Sequence, residues 1–239
     1  MNKFKKLSII IPVYNEEKFI ADVIKTVFQA ESCGLRKEVI VVNDGSTDKT
    51  ASILLKLKKK YPDVTYINSK KNEGKGASLK KGLLQSRGDI VLIQDSDFEY
   101  SPRDYVLLLD PFLTRGADVV YGSRLVTTQP HRVLFFWHYR INLFLTFISN
   151  MLTGLNLTDM ETGSKVFSGP VIREIAPFLR SKRFGFEPEV TARIAKKKGL
   201  KIFEVGISYS GRTYEEGKKI GWKDGLLALW EIFRYNIFT

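Results

Sequence analysis

The amino-terminal half of the chain alternates short apolar runs with segments of helical periodicity. Five apolar runs predict strands: residues 7–12, 38–43, 64–68, 89–94 and 117–121. Apolar positions three and four residues apart predict the helices between them: residues 16–29, 74–85 and 105–114, and a helix capped by Ser46 or Thr47 that runs to Tyr61. This alternation favours an α/β fold with a mostly parallel sheet and helices on both faces.

The pattern changes after Ser123. Residues 131–152 are strongly apolar and rich in aromatic side chains; an amphipathic helix over 187–198, a strand over 201–208 and a last helix over 224–238 follow. The sequence contains no internal repeat, low-complexity tract or obvious linker. We therefore expect one domain over residues 1–239, with a first half at 1–123 and a specialised second half at 124–239.

Composition narrows the class of protein. The 239 residues are 44% hydrophobic, enough for a sizeable core, and 38 Lys and Arg against 26 Asp and Glu give a net charge of +12. So basic a chain is expected to have anionic partners: nucleic acid, phosphorylated ligands or an acidic membrane surface. A single cysteine excludes an internal disulfide and a cysteine zinc cluster, and two histidines argue against a histidine-rich metal site.

The apolar segments also bear on location. The run near the start is short and soon reaches Pro12 and Glu16, which favours a first strand over a signal peptide. No stretch of about 20 apolar residues lacks polar interruption, so we expect no spanning helix. We expect a cytoplasmic location, with any membrane attachment peripheral.

Three acidic stretches follow predicted strands. Tyr14-Asn15-Glu16 follows the first, Asp44 the second and Asp95-Ser96-Asp97 the fourth. Because ligands of open α/β sheets bind beyond the carboxyl ends of the strands, we expect one shared site. The two aspartates repel each other unless a cation lies between them, and Mg²⁺ or Mn²⁺ held by carboxylates and phosphate oxygens suits such a pair. The pattern indicates a nucleotide diphosphate site, in which Asp44 accepts hydrogen bonds from ribose or base.

Eight stretches together resemble the family 2 glycosyltransferases, more narrowly the dolichol-phosphate mannose synthase-like branch that makes polyprenyl-phosphate sugars: SIIIPVYNEE, VIVVNDGSTDKT, NEGKGASLKKGL, GDIVLIQDSDFEY, ADVVYGSR, LTDMETGSKVF, FGFEPEVTARIAKK and EVGISYSGRTYEEGKKIGWKDG. The resemblance runs from residue 7 to about 225, and the stretches after residue 120 are its specific part. It implies a GT-A fold, a divalent cation (Mg²⁺ or Mn²⁺) and inverting transfer of a sugar from a nucleotide diphosphate, GDP-mannose or a UDP-hexose, to the phosphate of a polyprenol.

The resemblance also implies the site residues, by position. The nucleoside would contact Pro12, Tyr14, Glu16, Val42 and Asp44. The diphosphate and metal would lie on Asp95, Ser96 and Asp97, with Glu99 as a further metal ligand. Arg124 would face the reacting phosphates as the second catalytic residue beside Asp97, and Arg212 and Lys218 would close over the donor diphosphate. Two positions depart from the usual pattern: Ser96 replaces a common alanine, and Gly163-Ser164 replaces a larger, cysteine-containing version.

A phosphate acceptor changes what the site must do. Most inverting sugar transfers need a general base to deprotonate a hydroxyl, whereas a phosphate monoester is already anionic near neutral pH. It needs cationic placement instead, which Arg124, Arg132 and Arg140 can supply from within or beside the aromatic segment. We therefore assign no catalytic base and attribute rate enhancement to alignment and to stabilisation of the leaving diphosphate.

Two segments suit a membrane surface. Residues 141–157 carry no charge but are too polar for a comfortable span, and Trp137 and Tyr139 beside them suit an interfacial position. The last predicted helix carries an apolar stripe: Trp222, Leu226, Leu229, Trp230, Phe233 and Ile237. We predict peripheral docking of one or both segments on the cytoplasmic face of a membrane, strengthened by the positive charge.

Two alternatives stay open. A family 2 transferase acting on a saccharide hydroxyl needs a carboxylate base, for which Asp159 and Glu161 are the candidates. A basic nucleic-acid-binding protein is compatible with the charge, but the basic residues are scattered and no nucleic-acid motif is present, so we expect no nucleic-acid partner. The NEGKG stretch at 72–76 resembles a phosphate-binding loop but lacks the GxxxxGK[ST] spacing.

Overall fold

The computed structural model describes residues 4–128, 131–133, 135–213, 215–216 and 222–238. Seven strands within these residues form one sheet: β1 Lys6–Val13, β2 Arg36–Asn43, β3 Thr65–Asn68, β4 Ile90–Ile93, β5 Val119–Ser123, β6 Lys165–Ser168 and β7 Ile202–Gly206. The α-helices of the described chain are α1 Ile20–Gln29, α2 Thr50–Lys60, α3 Lys75–Gln85, α4 Tyr105–Arg115, α5 Phe136–Thr153, α6 Gly169–Ile175, α7 Phe186–Ala195 and α8 Trp222–Ile237. Short 3₁₀ helices precede α4 at Pro102–Asp104 and follow α6 at Ala176–Phe178.

The strands are arranged in the order β3-β2-β1-β4-β6-β5-β7. β1 runs parallel to both neighbours, with Ile10 opposite Ile40 of β2 and Ile93 of β4. β6 runs antiparallel to β4 and β5, and β7 runs parallel to β5. The expected mostly parallel α/β sheet is confirmed, and the second half of the chain completes it with β6 and β7.

Both faces of the sheet are covered, because successive side chains of a strand point to opposite sides. Ile9 and Ile11 of β1 pack with Val23 of α1 in one core. Ile10 packs with Leu79 of α3 in the other core. This two-sided burial is the physical reason why the central strands consist of continuous apolar runs.

β6 was not predicted, although it lies inside the sheet. Its first residue, Lys165, is fully buried, and its ammonium donates to the carbonyl oxygens of Met160 and Thr162. The ammonium also lies 5.0 Å from the ring centroid of Tyr121, and burial lowers the pKa of Lys165 to about 8. A four-residue strand that begins with a buried lysine carries no hydrophobic periodicity from which it can be recognised.

The start of α2 differs from the expected cap at Ser46 or Thr47. The helix begins at Thr50 instead. Ser46 Oγ donates to Asn43 Oδ1 at 2.6 Å, and the Thr47 backbone amide donates to Asn15 Oδ1 at 2.8 Å. The first contact lies within the turn after β2, and the second joins that turn to the loop after β1. Neither Ser46 nor Thr47 caps the helix.

Candidate active site

A cavity of about 1560 Å³ lies beyond the carboxyl ends of β1, β2 and β4. The loops that follow these strands form one wall of it, and α5 and α8 form another. Eleven of the residues predicted for the site line this cavity: Pro12, Tyr14, Glu16, Asp44, Asp95, Ser96, Asp97, Glu99, Arg124, Arg132 and Arg212. Parallel strands deliver their following loops to one edge of the sheet, which explains how stretches 30 to 50 residues apart meet.

Asp95 is held between a lysine and a glycine. The ammonium of Lys75, at the first position of α3, lies 2.9 Å from Asp95 Oδ1 and 3.2 Å from Glu187 Oε1. Burial lowers the pKa of Lys75, but these two carboxylates raise it more, to well above its ordinary value. On the other side, a Cβ on Gly163 would clash with Asp95 Oδ2. The absence of a side chain at residue 163 therefore makes room for the Asp95 carboxylate.

Asp97 and Glu99 are held by one arginine. Arg212 donates through Nη2 to Asp97 Oδ2 at 2.7 Å, and its backbone amide donates to Glu99 Oε1 at 3.0 Å. Burial, together with the charges of Asp95 and Glu99, raises the pKa of Asp97 to about 7, although Arg212 opposes this shift. Negative charge is therefore crowded at this edge of the cavity, an arrangement that a bound cation stabilises.

The donor atoms at this edge fit a hard divalent cation. Mg²⁺ and Mn²⁺ prefer oxygen ligands, and Mg²⁺ is commonly bound by one or two carboxylates plus phosphate oxygens. Asp95 and Asp97 offer two carboxylates, each with one cationic partner, and Glu99 accepts hydrogen bonds on both oxygens, from the Arg212 amide and, at 3.1 Å, from the hydroxyl of Tyr209. Across the described ranges, no group of three His, Cys, Asp or Glu side chains is placed to hold a metal ion. A metal here would be held by the two aspartates, and ligand oxygens would complete its coordination.

The N-terminus of α3 is closed by protein groups. Asp44 accepts hydrogen bonds from the backbone amides of Glu73 at 3.1 Å and Gly74 at 2.7 Å. The amides of residues 76 and 77 donate to carbonyl oxygens of residues 182–183. A Cβ on Gly74 would clash with that same loop, and Gly74 has a φ of 101°. The glycines of NEGKG therefore serve close packing, and the stretch is not a phosphate-binding loop.

Arg124 is fixed by a buried carboxylate. Its Nε and Nη2 donate to the two oxygens of Asp159, each at 2.7 Å, and Asn142 donates to Asp159 Oδ1 at 3.0 Å. Asp159 is fully buried; burial raises its pKa, but Arg124 lowers it more, to below the ordinary value. The guanidinium carbon lies 5.2 Å from the ring centroid of Tyr209. Asp159 is thus the counter-ion that orients Arg124 at the cavity wall.

Three predicted site residues are placed elsewhere or are not described. Val42 is fully buried in the core, because its side chain points from β2 toward α3, near Gly82. Its side chain therefore cannot reach a nucleoside. Arg140 is exposed on α5 and is not among the residues that line the cavity. Lys218 lies outside the described residues.

Three residues of the site were not predicted from the sequence: Lys75, Glu187 and Tyr209. Lys75 belongs to NEGKG, and its role depends on the packing of α3 against β1 and β2, which brings its ammonium to Asp95. Glu187 was assigned only to a helix, but a glutamate that is 5% exposed in the first turn of α7 requires a cationic partner. Tyr209 is recognisable only once the loop after β7 is folded back against residue 100, with which it forms an isolated bridge.

The wall formed by α5 and α8 is apolar. Ile141, Leu145 and Ala228 line the cavity from these helices. Away from the cavity both helices expose large apolar side chains: Phe144, Phe147 and Met151 on α5, and Leu226, Leu227, Trp230 and Ile237 on α8. Trp137 is also exposed and lines the cavity. Of the predicted stripe on α8, Leu229 and Phe233 are half-buried, and the side chain of Trp222 is outside the described part of the chain. In that part, each helix is too short or too polar to cross a bilayer.

Comparison with known proteins gives relatives along nearly the whole chain. ALG5D, a dolichyl-phosphate beta-glucosyltransferase of Trichomonas vaginalis, is 26% identical over 249 residues, covering 98% of this chain and 75% of its own. The UDP-N-acetylglucosamine–dolichyl-phosphate N-acetylglucosaminyltransferase of Methanococcus voltae is 29% identical over 218 residues, 85% of each chain. The dolichyl-phosphate beta-glucosyltransferase of Saccharomyces cerevisiae is 30% identical over 224 residues, 85% of this chain and 66% of its own.

Solved structures give the same fold. Glucosyl-3-phosphoglycerate synthase from Mycobacterium tuberculosis, crystallised with Mn²⁺, UDP and phosphoglyceric acid, superposes with a TM-score of 0.71 at 21% identity, over 98% of this chain and 79% of its own. The expected GT-A fold is confirmed by this similarity. Residues 8–175, more than half of the chain, match glycosyl transferase family 2. The chain therefore belongs to glycosyltransferase family 2.

Proposed function

We propose that the protein transfers a hexose from a UDP-linked donor to a polyprenyl phosphate, with inversion at the anomeric carbon. One observation carries the proposal: a single cavity brings together the carboxylates of Asp95 and Asp97, the guanidinium of Arg124 and an apolar wall from α5 and α8. The carboxylates suit the metal of a donor diphosphate, the guanidinium suits an anionic acceptor head, and the apolar wall suits a hydrocarbon chain.

The relatives support this acceptor and suggest the donor. Three of them are named for transfer to dolichyl phosphate, two transferring glucose and one N-acetylglucosamine. The Methanococcus relative is named for a UDP donor, and solved structures with this fold hold UDP. We therefore favour a UDP-hexose over GDP-mannose, and glucose or N-acetylglucosamine as the sugar.

The donor is expected to lie along the carboxyl ends of β1, β2 and β4. Tyr14 and Glu16 would contact the nucleoside, and Asp95 and Asp97 would hold the metal and diphosphate; all four line the cavity. A bound Mg²⁺ or Mn²⁺ would neutralise charge on the leaving diphosphate. Arg212 adds a protein cation at the same edge, which favours the binding of an anion there.

In the transfer, an oxygen of the acceptor phosphate attacks the anomeric carbon of the sugar. The bond from that carbon to the donor diphosphate breaks, and its electron pair leaves with UDP. The attacking oxygen is already anionic, so no base has to remove a proton. Arg124 binds the acceptor phosphate in a direction fixed by its two bonds to Asp159. Arg132, whose Nη1 donates to Glu216 Oε2 at 2.6 Å, adds positive charge at the rim.

The acceptor chain is expected to reach the cavity from a membrane surface. α5 and α8 line the cavity and also expose aromatic side chains, with Trp137 73% and Trp230 56% exposed. Aromatic rings suit the interface between lipid and water, and a net charge of +12 favours anionic lipid. We propose peripheral docking on the cytoplasmic face through these two helices.

One observation favours a second candidate, transfer to a saccharide hydroxyl. That reaction needs a carboxylate base. Asp159 is unsuited, because it is buried and bound to Arg124. Glu161, however, lines the cavity, and its buried Oε1 has no hydrogen-bond partner among the described residues. The two candidates differ in their response to Glu161→Gln, which removes a base but keeps a hydrogen-bonding group of the same size.

The proposed function is tested with purified protein, Mn²⁺, undecaprenyl phosphate and three donors: UDP-glucose, UDP-N-acetylglucosamine and GDP-mannose. We expect a lipid-linked sugar from at least one UDP donor, and loss of product with EDTA or in Asp97→Asn. The matched control is Asp63→Asn, an exposed aspartate outside the cavity, which should retain full activity. Absence of lipid-linked product with every donor, in protein that binds UDP, would refute the acceptor class.

A further inference from the structure

Glu161 has a carboxyl group that the protein itself does not satisfy. It lines the large cavity, and within the described ranges its Oε1 is shielded from solvent without a hydrogen-bond partner. Buried polar groups are nearly always hydrogen-bonded, because leaving one unpaired costs about 1–3 kcal/mol. An unpaired carboxyl on a cavity wall is therefore placed for a ligand to complete.

The position of Glu161 defines which part of a ligand would meet it. Glu161 precedes by two residues Gly163, which packs directly against the carboxylate of Asp95. The charges of Glu187, Lys165 and Arg124 also act on its carboxyl. Glu161 thus shares one cavity with the carboxylates assigned to the donor diphosphate and with Arg124, which is assigned to the acceptor phosphate and whose charge acts on Glu161. A sugar that passes from one phosphate to the other passes through this cavity.

We propose that Glu161 hydrogen-bonds a hydroxyl group of the transferred sugar and thereby contributes to the choice of donor. The inference rests on the proposed function, because it requires a sugar held between two phosphates. A site built to hydrogen-bond a hydroxyl discriminates strongly against a sugar that lacks it, since the protein group is then left unpaired. Glu161 is in this sense a specificity-determining residue.

The electrostatics around Glu161 support a binding role over a role as base. Burial and the charge of Glu187 together raise the pKa of Glu161 to about 8, against the opposing charges of Lys165 and Arg124. A carboxyl group that retains its proton near pH 7 offers one donor and one acceptor, which matches a hydroxyl group. A protonated carboxyl cannot remove a proton from an acceptor hydroxyl.

The test uses two substitutions of similar size, Glu161→Gln and Glu161→Met. Gln keeps a donor and an acceptor, whereas Met keeps only the bulk. Transfer to undecaprenyl phosphate is measured with Mn²⁺ and the three donors named above, and the affinity for UDP is measured by calorimetry. We expect E161M to lose roughly 10- to 100-fold in kcat/KM. E161Q should stay within about tenfold of wild type, and UDP affinity should be unchanged in both variants.

A second arm identifies the hydroxyl. Deoxy analogues of the preferred donor should lose activity with the wild-type protein at one ring position. E161M should be equally active with the intact donor and with the analogue that lacks this one hydroxyl. The substitution and the missing hydroxyl each remove the same hydrogen bond, so their effects should not add. Glu174→Gln, an exposed glutamate of α6, is the matched control and should behave as wild type. E161A repeats the test if E161M fails to bind UDP.

The outcomes separate this inference from the proposed function. Full activity of E161M would overturn the inference alone. An inactive E161Q that still binds UDP would also overturn it, because the carboxyl group itself, and not its hydrogen bond to the sugar, would then be required. No transfer by the wild-type protein would refute the proposed function. The inference is then decided by binding: UDP-glucose or UDP-N-acetylglucosamine should bind the wild type more tightly than UDP does, and E161M should lose that difference. Equal differences in both proteins would overturn it.

Discussion

Arg212 and Asp97, 115 residues apart in the chain, form an ion pair of 2.7 Å at the edge of the cavity. Arg212 also lies 3.5 Å from Glu16 Oε2, and its guanidinium carbon is 5.9 Å from the ring centroid of Phe19. The loop after β7 is thereby joined to the loops after β1 and β4. Through this one side chain, the second half of the chain contacts three carboxylates of the first half, those of Glu16, Asp97 and Glu99.

Replacement of Arg212 should weaken nucleotide binding without weakening metal binding. In Arg212→Met the affinity for UDP in the presence of Mn²⁺ should fall by about 10- to 100-fold, because a charged hydrogen-bond donor to the diphosphate is lost. The affinity for Mn²⁺ alone should not fall, because Asp97 then has no competing cation. Calorimetric titrations measure both, with Arg115→Met on the exposed end of α4 as the control. Unchanged UDP affinity would contradict the assigned role.

A methyl group at residue 163 should disturb the donor site more than the fold. The Cβ of Gly163→Ala would clash with the Asp95 carboxylate, which must turn away from its position beside Lys75. We expect Mn²⁺-dependent UDP binding to weaken by at least about tenfold, as expected when a charged ligand group is displaced. The melting temperature should fall by only a few degrees, since one short side chain moves. A variant with wild-type UDP affinity would show that the Asp95 position is unimportant.

The buried pair of Arg124 and Asp159 should dominate the stability of its region. Asp159→Asn leaves the guanidinium without a counter-ion and should lower the free energy of unfolding by about 3–5 kcal/mol. The double variant Arg124→Met/Asp159→Leu should regain much of this loss, because neither charge is then buried alone. Urea denaturation measures both, with Asp63→Asn as an exposed control. Equal stability of Asp159→Asn and wild type would mean that water compensates the arginine.

The same pair gives a prediction about pH. The folded-state pKa of Asp159 lies below its ordinary value, so its contribution to stability is complete above the unfolded-state pKa of about 4 and is lost as pH falls through the lower folded-state value. The difference in the free energy of unfolding between wild type and Asp159→Asn should therefore be constant from about pH 7 to pH 5 and narrow below about pH 4. Urea denaturation across this range checks the slope; a difference that widens on acidification would have the wrong sign.

Membrane docking should depend on apolar side chains outside the cavity. Phe144 of α5 and Trp230 of α8 are 53% and 56% exposed and do not line the cavity. Phe144→Ser/Trp230→Ser should reduce co-sedimentation with anionic phosphatidylglycerol vesicles by about tenfold or more, because apolar area is lost from the lipid contact. The affinity for UDP should not change. Leu55→Ser/Leu84→Ser, which removes equally exposed leucines from α2 and α3, should sediment as wild type.

The sequence predicts the first half of the fold well, because each strand and helix there is indicated by a hydrophobic pattern within its own few residues. Strands buried on both faces, such as β1, are recognisable in the sequence as continuous apolar runs. Because these strands are parallel, the residues that follow them lie together at one edge of the sheet. That is why Glu16, Asp44 and Asp97 are found on one cavity wall, as the strand ends predict.

The second half is less predictable because its residues act through distant partners. Asp159 is attractive as a base when considered alone, and only the structure places it against Arg124, 35 residues earlier. Val42 matches the family pattern at the end of a strand, but strand alternation directs its side chain into the core. Lys75 lies in a glycine-rich stretch that suggests phosphate binding, and its partner Glu187 is on a helix far along the chain.

The reversed strand β6 has a consequence for how such enzymes diversify. The five residues 159–163, just before it, carry the counter-ion of Arg124, the carboxyl of Glu161 and the glycine that accommodates Asp95, and Lys165 ties the peptide of this segment to the sheet. An insertion or deletion here would misplace all three groups at once. Under the role proposed for Glu161, a new sugar preference is therefore more accessible through exchange of the side chain at residue 161 than through any change in loop length.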